Sequence, residues 1–138
     1  MAADTATVKA LRATDLFSSL SRRSLAAVAG CAKVVAHPAG KQLVTEGTSG
    51  VGFHLIVDGT ASIVVGGKRR GKLGPGQYFG EMSMIDGGPR SATITAETPV
   101  TTIFLSAWNF RPLLKSEPEI ARALLLVMCA RLRAADKR

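Results

Sequence analysis

Fifteen consecutive residues carry the densest chemistry in the chain: Phe79-Gly80-Glu81-Met82-Ser83-Met84-Ile85-Asp86-Gly87-Gly88-Pro89-Arg90-Ser91-Ala92-Thr93. A helical turn beginning at Gly80-Glu81 presents unpaired backbone N–H groups and the positive end of a helix dipole, and both attract an anion. Gly80 has no side chain, so an anion can come close to the backbone there. Arg90 offers a fork of donors matched to a phosphate, and Ser91 adds a hydroxyl and an amide. Glu81 is the odd member, because a carboxylate repels a phosphate. Its presence makes sense for a ligand with hydroxyl donors beside its phosphate, as in a ribose. These residue types at this spacing ask for a sugar phosphate.

In these residues the sequence resembles the phosphate-binding cassette of the cyclic nucleotide-binding domain family. That cassette reads Phe-Gly-Glu, an apolar residue, a small residue, two apolar residues, a short loop, then Pro-Arg-Ser/Ala-Ala-Thr. Phe79 to Thr93 agrees at each diagnostic position. The resemblance implies that Glu81 takes a ribose 2′-hydroxyl and Arg90 the cyclic phosphate. It implies that backbone groups of Gly80, Glu81, Met82 and Ser83, and of Ser91 and Ala92, complete the cradle. The ligand it implies is cAMP ahead of cGMP, since the position after the arginine is often Thr in cGMP-selective sites and Ala or Ser in cAMP sites. Ile63 and Leu73 are expected to wall the sugar and base. Met128, Arg131 and Leu132 are expected to reach the base from the last helix, acting as a lid. No cofactor beyond the nucleotide is implied. The competing use of such a fold is a ligand-free interaction module that dimerises.

Other chemistries find little support. No nucleophile motif surrounds any serine, so catalysis is not expected. His37 and His54 are too few for a metal centre and read as surface or packing residues. Cys31 and Cys129 each sit in apolar sequence and read as buried thiols rather than a disulfide. The net charge of +8 comes from Arg22-Arg23, from Lys68-Arg69-Arg70 with Lys72, and from the tail Arg131–Arg138. Nucleic-acid recognition would want those cations on one face with aromatics or a recognition helix. None interleaves with them, so they read as solvated surfaces that concentrate anionic ligands. Met1 to Thr14 lacks the apolar core of a signal peptide. The longest apolar run, Ala123 to Ala130, is far short of the ~20 residues of a membrane span. A cytoplasmic chain is expected.

The elements that must hold the cassette follow from the pattern. A chain of 138 residues is long enough for one domain with a real core, taken as 1–138. The fold class is mainly β with flanking helices, a β-roll or jelly-roll-like barrel over about 33–105. Helices are expected over about 5–31, with Ser21 capping the second at Arg22, and over about 107–135. Short apolar runs separated by glycines predict strands at Lys33–His37, Gln42–Thr45, Gly52–Asp58, Thr60–Val65, Arg70–Leu73, Ser91–Glu97 and Val100–Leu105. The resemblance implies eight. In Gly52–Asp58, Phe53, Leu55 and Val57 alternate with His54 and Asp58 as in a half-buried strand. Gly66-Gly67 reads as a hairpin tip. Ser106 is expected to cap a helix that Pro112 bends or interrupts, and Ser116 to cap the last one. That last helix is apolar over too wide a face for one contact. Its surplus points to a ligand's base or a second subunit, and the output partner, an effector domain or protein, is not legible.

Overall fold

Among the described residues, eight strands and five helices form in the order α1 (Thr5–Arg12), α2 (Arg22–Ala29), β1 (Ala32–His37), β2 (Gln42–Val44), β3 (Gly52–Asp58), β4 (Ala61–Val65), β5 (Lys68–Leu73), β6 (Tyr78–Phe79), α3 (Glu81–Asp86), β7 (Thr93–Ala96), β8 (Val100–Ser106), α4 (Ala107–Ser116) and α5 (Pro118–Ala135). This computed structural model describes residues 4–48 and 51–136. Residues 137–138 of the expected basic tail, and residues 1–3, lie outside the described residues. Contacts divide the chain into two units, Cys31–Phe110 and the pair of segments Met1–Gly30 and Arg111–Arg138.

The first unit is a roll of two antiparallel four-stranded sheets, ordered β1-β8-β3-β6 and β2-β7-β4-β5. Ile56, Phe79 and Val100 of one sheet meet Ala61, Ile94 and Ala96 of the other, with Leu43, Val44, Ile63, Leu73 and Ala92 packed around them. This is the mainly-β fold the pattern asks for, and the strand positions differ from expectation by a few residues at most. The strand the pattern misses is β6, because two residues are too short for an alternation to register. Gly66 and Gly67, at φ 58° and 79°, close the β4–β5 hairpin where side-chain-bearing residues would be strained.

The second unit is helical. Ser21 caps α2 as expected, its hydroxyl accepting from the Ser24 amide at 3.2 Å. Glu119, in the first turn of α5, accepts from the Ser21 amide at 2.7 Å, which holds its carboxyl below the usual range. Glu117 pairs with Arg23 at 3.1 Å, and Asp15 with Arg131 at 3.8 Å. α2 ends at Ala29, two residues short of the expected Cys31.

Three expectations at the C-terminal side need correction. Pro112 does not interrupt α4, which runs unbroken from Ala107 to Ser116. The proline removes one amide donor, whose acceptor would be the carbonyl of the exposed Trp108. Ser116 closes α4 instead of capping α5, and the cap falls on Glu117, at φ −128° and ψ 80°. The residue before a proline is driven out of helical angles, which is why the boundary sits there. Cys129 is exposed on α5, not buried, while Cys31 is half-buried with its thiol pushed up by burial.

Candidate functional site

The site begins where β6 stops. Gly80 adopts φ 86°, a left-handed turn that feeds the chain from strand into α3. A Cβ at this position would overlap both the Arg90 Nη1 and the Gly52 carbonyl. Glycine is therefore required twice, for the backbone angle and for the space. α3 lasts six residues and stops at Gly87, also left-handed at φ 71°. The loop beyond it is tied back to the helix. Ser83 Oγ donates to the Gly88 carbonyl at 3.1 Å, and Asp86 Oδ1 accepts from the Gly88 amide at 2.7 Å. Those ties bring the chain round to Arg90.

Arg90 is fixed along its whole length. Its amide donates to the Thr48 carbonyl at 2.8 Å, and its carbonyl accepts from the Gly47 amide at 2.9 Å. The residue is only 7% exposed. Nη2 donates to the Gly52 carbonyl at 2.7 Å. Nη1 is buried and has no hydrogen-bond partner among the described residues. Burial pulls the guanidinium pKa below its ordinary value, and the Glu81 carboxylate opposes that shift. An arginine remains protonated even so. A buried cation with an open donor is a costly arrangement, and its natural complement is an anion.

All seven expected cradle residues, Gly80, Glu81, Met82, Ser83, Arg90, Ser91 and Ala92, line one hollow of about 160 Å³. Val44, Phe79 and Ile94 supply an apolar wall that the sequence reading did not assign. Val44 and Ile94 face each other across β2 and β7, and that pairing was the hidden signal. Ile63 and Leu73, the wall residues expected from the sequence, do not line the hollow. They pack against the adjoining core cluster. Met128, Arg131 and Leu132 are on α5, in the other unit, and are not among the lining residues.

Of the two expectations for the histidines, surface or packing, the packing one holds. Both His37 and His54 are buried, and both meet Thr102 Oγ1 at 3.1 Å, His37 through Nε2 and His54 through Nδ1. Burial, with the neighbouring charges of His37, Arg90 and Lys41, pushes His54 down to about 3. Burial and Lys41 lower His37 as well. Alternation misled here because the first five residues of β3 are buried on both faces. Among the described residues no three potential metal ligands gather, and no helix is long and apolar enough to cross a membrane.

The cyclic nucleotide-binding domain profile matches residues 34–117, most of the chain and the whole cassette. The chain belongs to the cyclic nucleotide-binding domain family. This cyclic nucleotide-binding domain is 36% identical over 109 residues to a cyclic nucleotide-gated potassium channel of Mesorhizobium japonicum, covering 79% of this chain and 30% of the channel. It is 33% identical over 118 residues to the cAMP-dependent protein kinase regulatory subunit of Aspergillus niger, covering 81% and 28%. Its fold matches the crystal structure of the N-terminal domain of a transcriptional regulator from Streptomyces coelicolor, with a TM-score of 0.81, 30% identity and 92% of each chain covered. The chain spans less than a third of the length of either relative matched by sequence. Family membership thus leaves the output open.

Proposed function

We propose that this domain is a sensor for a cyclic purine nucleotide, cAMP ahead of cGMP, and that occupancy is passed on through α5. The observation that carries the reading is the buried, unpartnered Nη1 of Arg90 lying beside the side-chain-free Gly80. A cyclic phosphate would complete that donor and the amides of Gly80 to Ser83, with Ser91 and Ala92 on its other flank. Glu81, half-buried in the same hollow, takes the ribose 2′-hydroxyl. Val44 and Ile94 face the sugar and the near edge of the base. The exposed Ser91 favours adenine, and the Aspergillus relative carries cAMP in its name. Met128, Arg131 and Leu132 serve as lid residues, Met adapting to a flat ring and Arg stacking on one. What the domain drives is an effector domain or a separate protein.

One observation favours a second use of α5. Leu125, Leu126 and Leu132 are 65%, 54% and 69% exposed, apolar surface suited to a second copy of the chain. A dimerisation module without ligand would use that surface and leave the cradle idle.

Thermal melting separates the two readings. At a hundred times its dissociation constant, cAMP should stabilise the fold by about 2.7 kcal/mol, a rise of roughly 10 °C for a chain of this size. 5′-AMP, which lacks the compact cyclic ester, should leave the curve in place. Melting curves unmoved by millimolar cAMP and cGMP would sink the sensor reading. Hydrogen exchange then tests the lid, which must gain protection at Leu124 to Leu132 when cAMP binds. Protection confined to Gly80–Ala92 would leave α5 to the dimer.

A further inference from the structure

The two halves of the cradle are separate in sequence yet rest on the same three residues of β3. The Gly52 carbonyl receives Nη2 of Arg90 at 2.7 Å. Two residues on, and on the same face of the strand, His54 pairs in register with Phe79. Their rings lie 14° from parallel with centroids 5.0 Å apart. Gly80 follows Phe79 directly, so whatever fixes Phe79 fixes the first residue of the cradle. β3 thus holds the arginine by a carbonyl and the glycine turn by an aromatic stack.

The stack adds to a short strand. β6 has two residues, and two register pairs join it to β3. The Ile56 amide on the Gln77 carbonyl and the Gly76 amide on the Ile56 carbonyl extend that pairing just before the strand, and side-chain contacts add to so short a ladder. Phe53 against Tyr78, at 5.2 Å, secures one residue, and His54 against Phe79 secures the other. The imidazole is itself restrained. Its Nδ1 meets Thr102 Oγ1, which also meets His37 Nε2, and Phe104 packs on it at 4.9 Å. A purely apolar ring in that place would have no directional restraint.

We propose that His54 is a positioning residue of the nucleotide site: oriented by Thr102, it sets the plane of Phe79 and so the placement of the Gly80 turn against Arg90. This rests on the proposed binding of a cyclic nucleotide at that cradle. The ring's charge state suits the task. The charged or titratable groups facing it are His37 from β1, Arg90 from the cassette and Lys41 from the β1–β2 turn, and together with burial they keep it neutral. The coupling is mutual. A phosphate on Arg90 offsets one of the charges His54 feels, so ligand binding must change the environment of the ring.

The test is nitrogen-15 NMR of the histidine rings and backbone amides in the full chain, titrated with cAMP, alongside calorimetry on two variants. The His54 ring signals should shift in step with the amides of Gly80 to Ala92, and 5′-AMP should move neither. His54→Leu should weaken cAMP binding about tenfold, the scale of one lost aromatic pair, and His54→Phe, which restores a flat ring but not the bond to Thr102, should recover only part of it. Cassette amides that respond while the His54 ring stays still would overturn the proposal without recourse to any variant. So would a dissociation constant unchanged within about twofold in both variants, which is the behaviour of a core filler. Amides that ignore both cAMP and cGMP would remove the binding reading itself, and the positioning role with it.

Discussion

Arg69, on the β4–β5 hairpin, ends 2.7 Å from Glu97 with its side chain 54% exposed. Arg90, in the same unit, is buried, gives one nitrogen to the Gly52 carbonyl and leaves the other open. The hairpin holds more charge, with Lys68, Arg70 and Lys72 beside Arg69. Yet water already satisfies those groups, and a ligand there would have to compete with it. At Arg90 water is largely excluded, so the donor's cost stands in the free protein and an anion would relieve it. Number of charges does not mark the site; incomplete solvation does.

The sharpest way to break that contrast is Arg90→Ala. It should weaken cAMP binding by about 2–5 kcal/mol, roughly 30- to several thousand-fold by calorimetry. The free variant should melt no lower than the wild type, since a half-satisfied buried cation goes with the side chain. A large drop in the melting temperature of the free protein would make Arg90 a structural cation and end the comparison.

Acid should expose the same buried polar region. His54 titrates near 6.5 when unfolded and at about 3 when folded. Between those values the unfolded chain takes up a proton that the folded one refuses. Stability therefore falls as pH falls through that window, by up to about 1.4 kcal/mol per pH unit from this group. Urea midpoints at pH 6.5, 5.5 and 4.5 should decline more steeply for wild type than for His54→Phe. Parallel declines would mean that His54 titrates normally in the fold.

The smallest effect belongs to the hairpin. Arg69→Ala should cost less than about 1 kcal/mol of stability, as exposed ion pairs do. At 0.15 M salt it should alter cAMP affinity by less than about twofold, because an exposed, already paired charge is screened by water and salt. A tenfold loss would show that the hairpin cations do more than solvate the surface.

The cassette was legible because its chemistry is local: Gly80, Glu81 and Arg90 lie on one short stretch and line one hollow. Strands were legible where an apolar run was long enough, as in β3 and β8. What escaped depends on partners distant in sequence. Val44 joins the wall only through its pairing with Ile94. His54 is buried because β3 lies between β8 and β6, which no alternation within β3 can reveal. Ile63 and Leu73 fall on expected strands, but they pack on the core rather than lining the hollow. The α5 cap moved from Ser116 to Glu117 because the proline outweighed the better capping side chain.

The helical unit has a kinetic consequence. The Ser21–Glu119 bond joins residues 98 positions apart, and the Arg23–Glu117 pair joins residues 94 apart. Such contacts carry a heavy loop-closure entropy when the intervening chain is loose. That chain is the β-roll, whose folding shortens the effective loop from a flexible tether to a compact spacer. The roll is therefore expected to act as a template, with the helical unit completing late and lost first as the protein opens. Hydrogen exchange near neutral pH should show it, with amides of α2 and α5 opening at lower free energy than those of β3 and β8. Equal opening energies would mean that both units fold as one step.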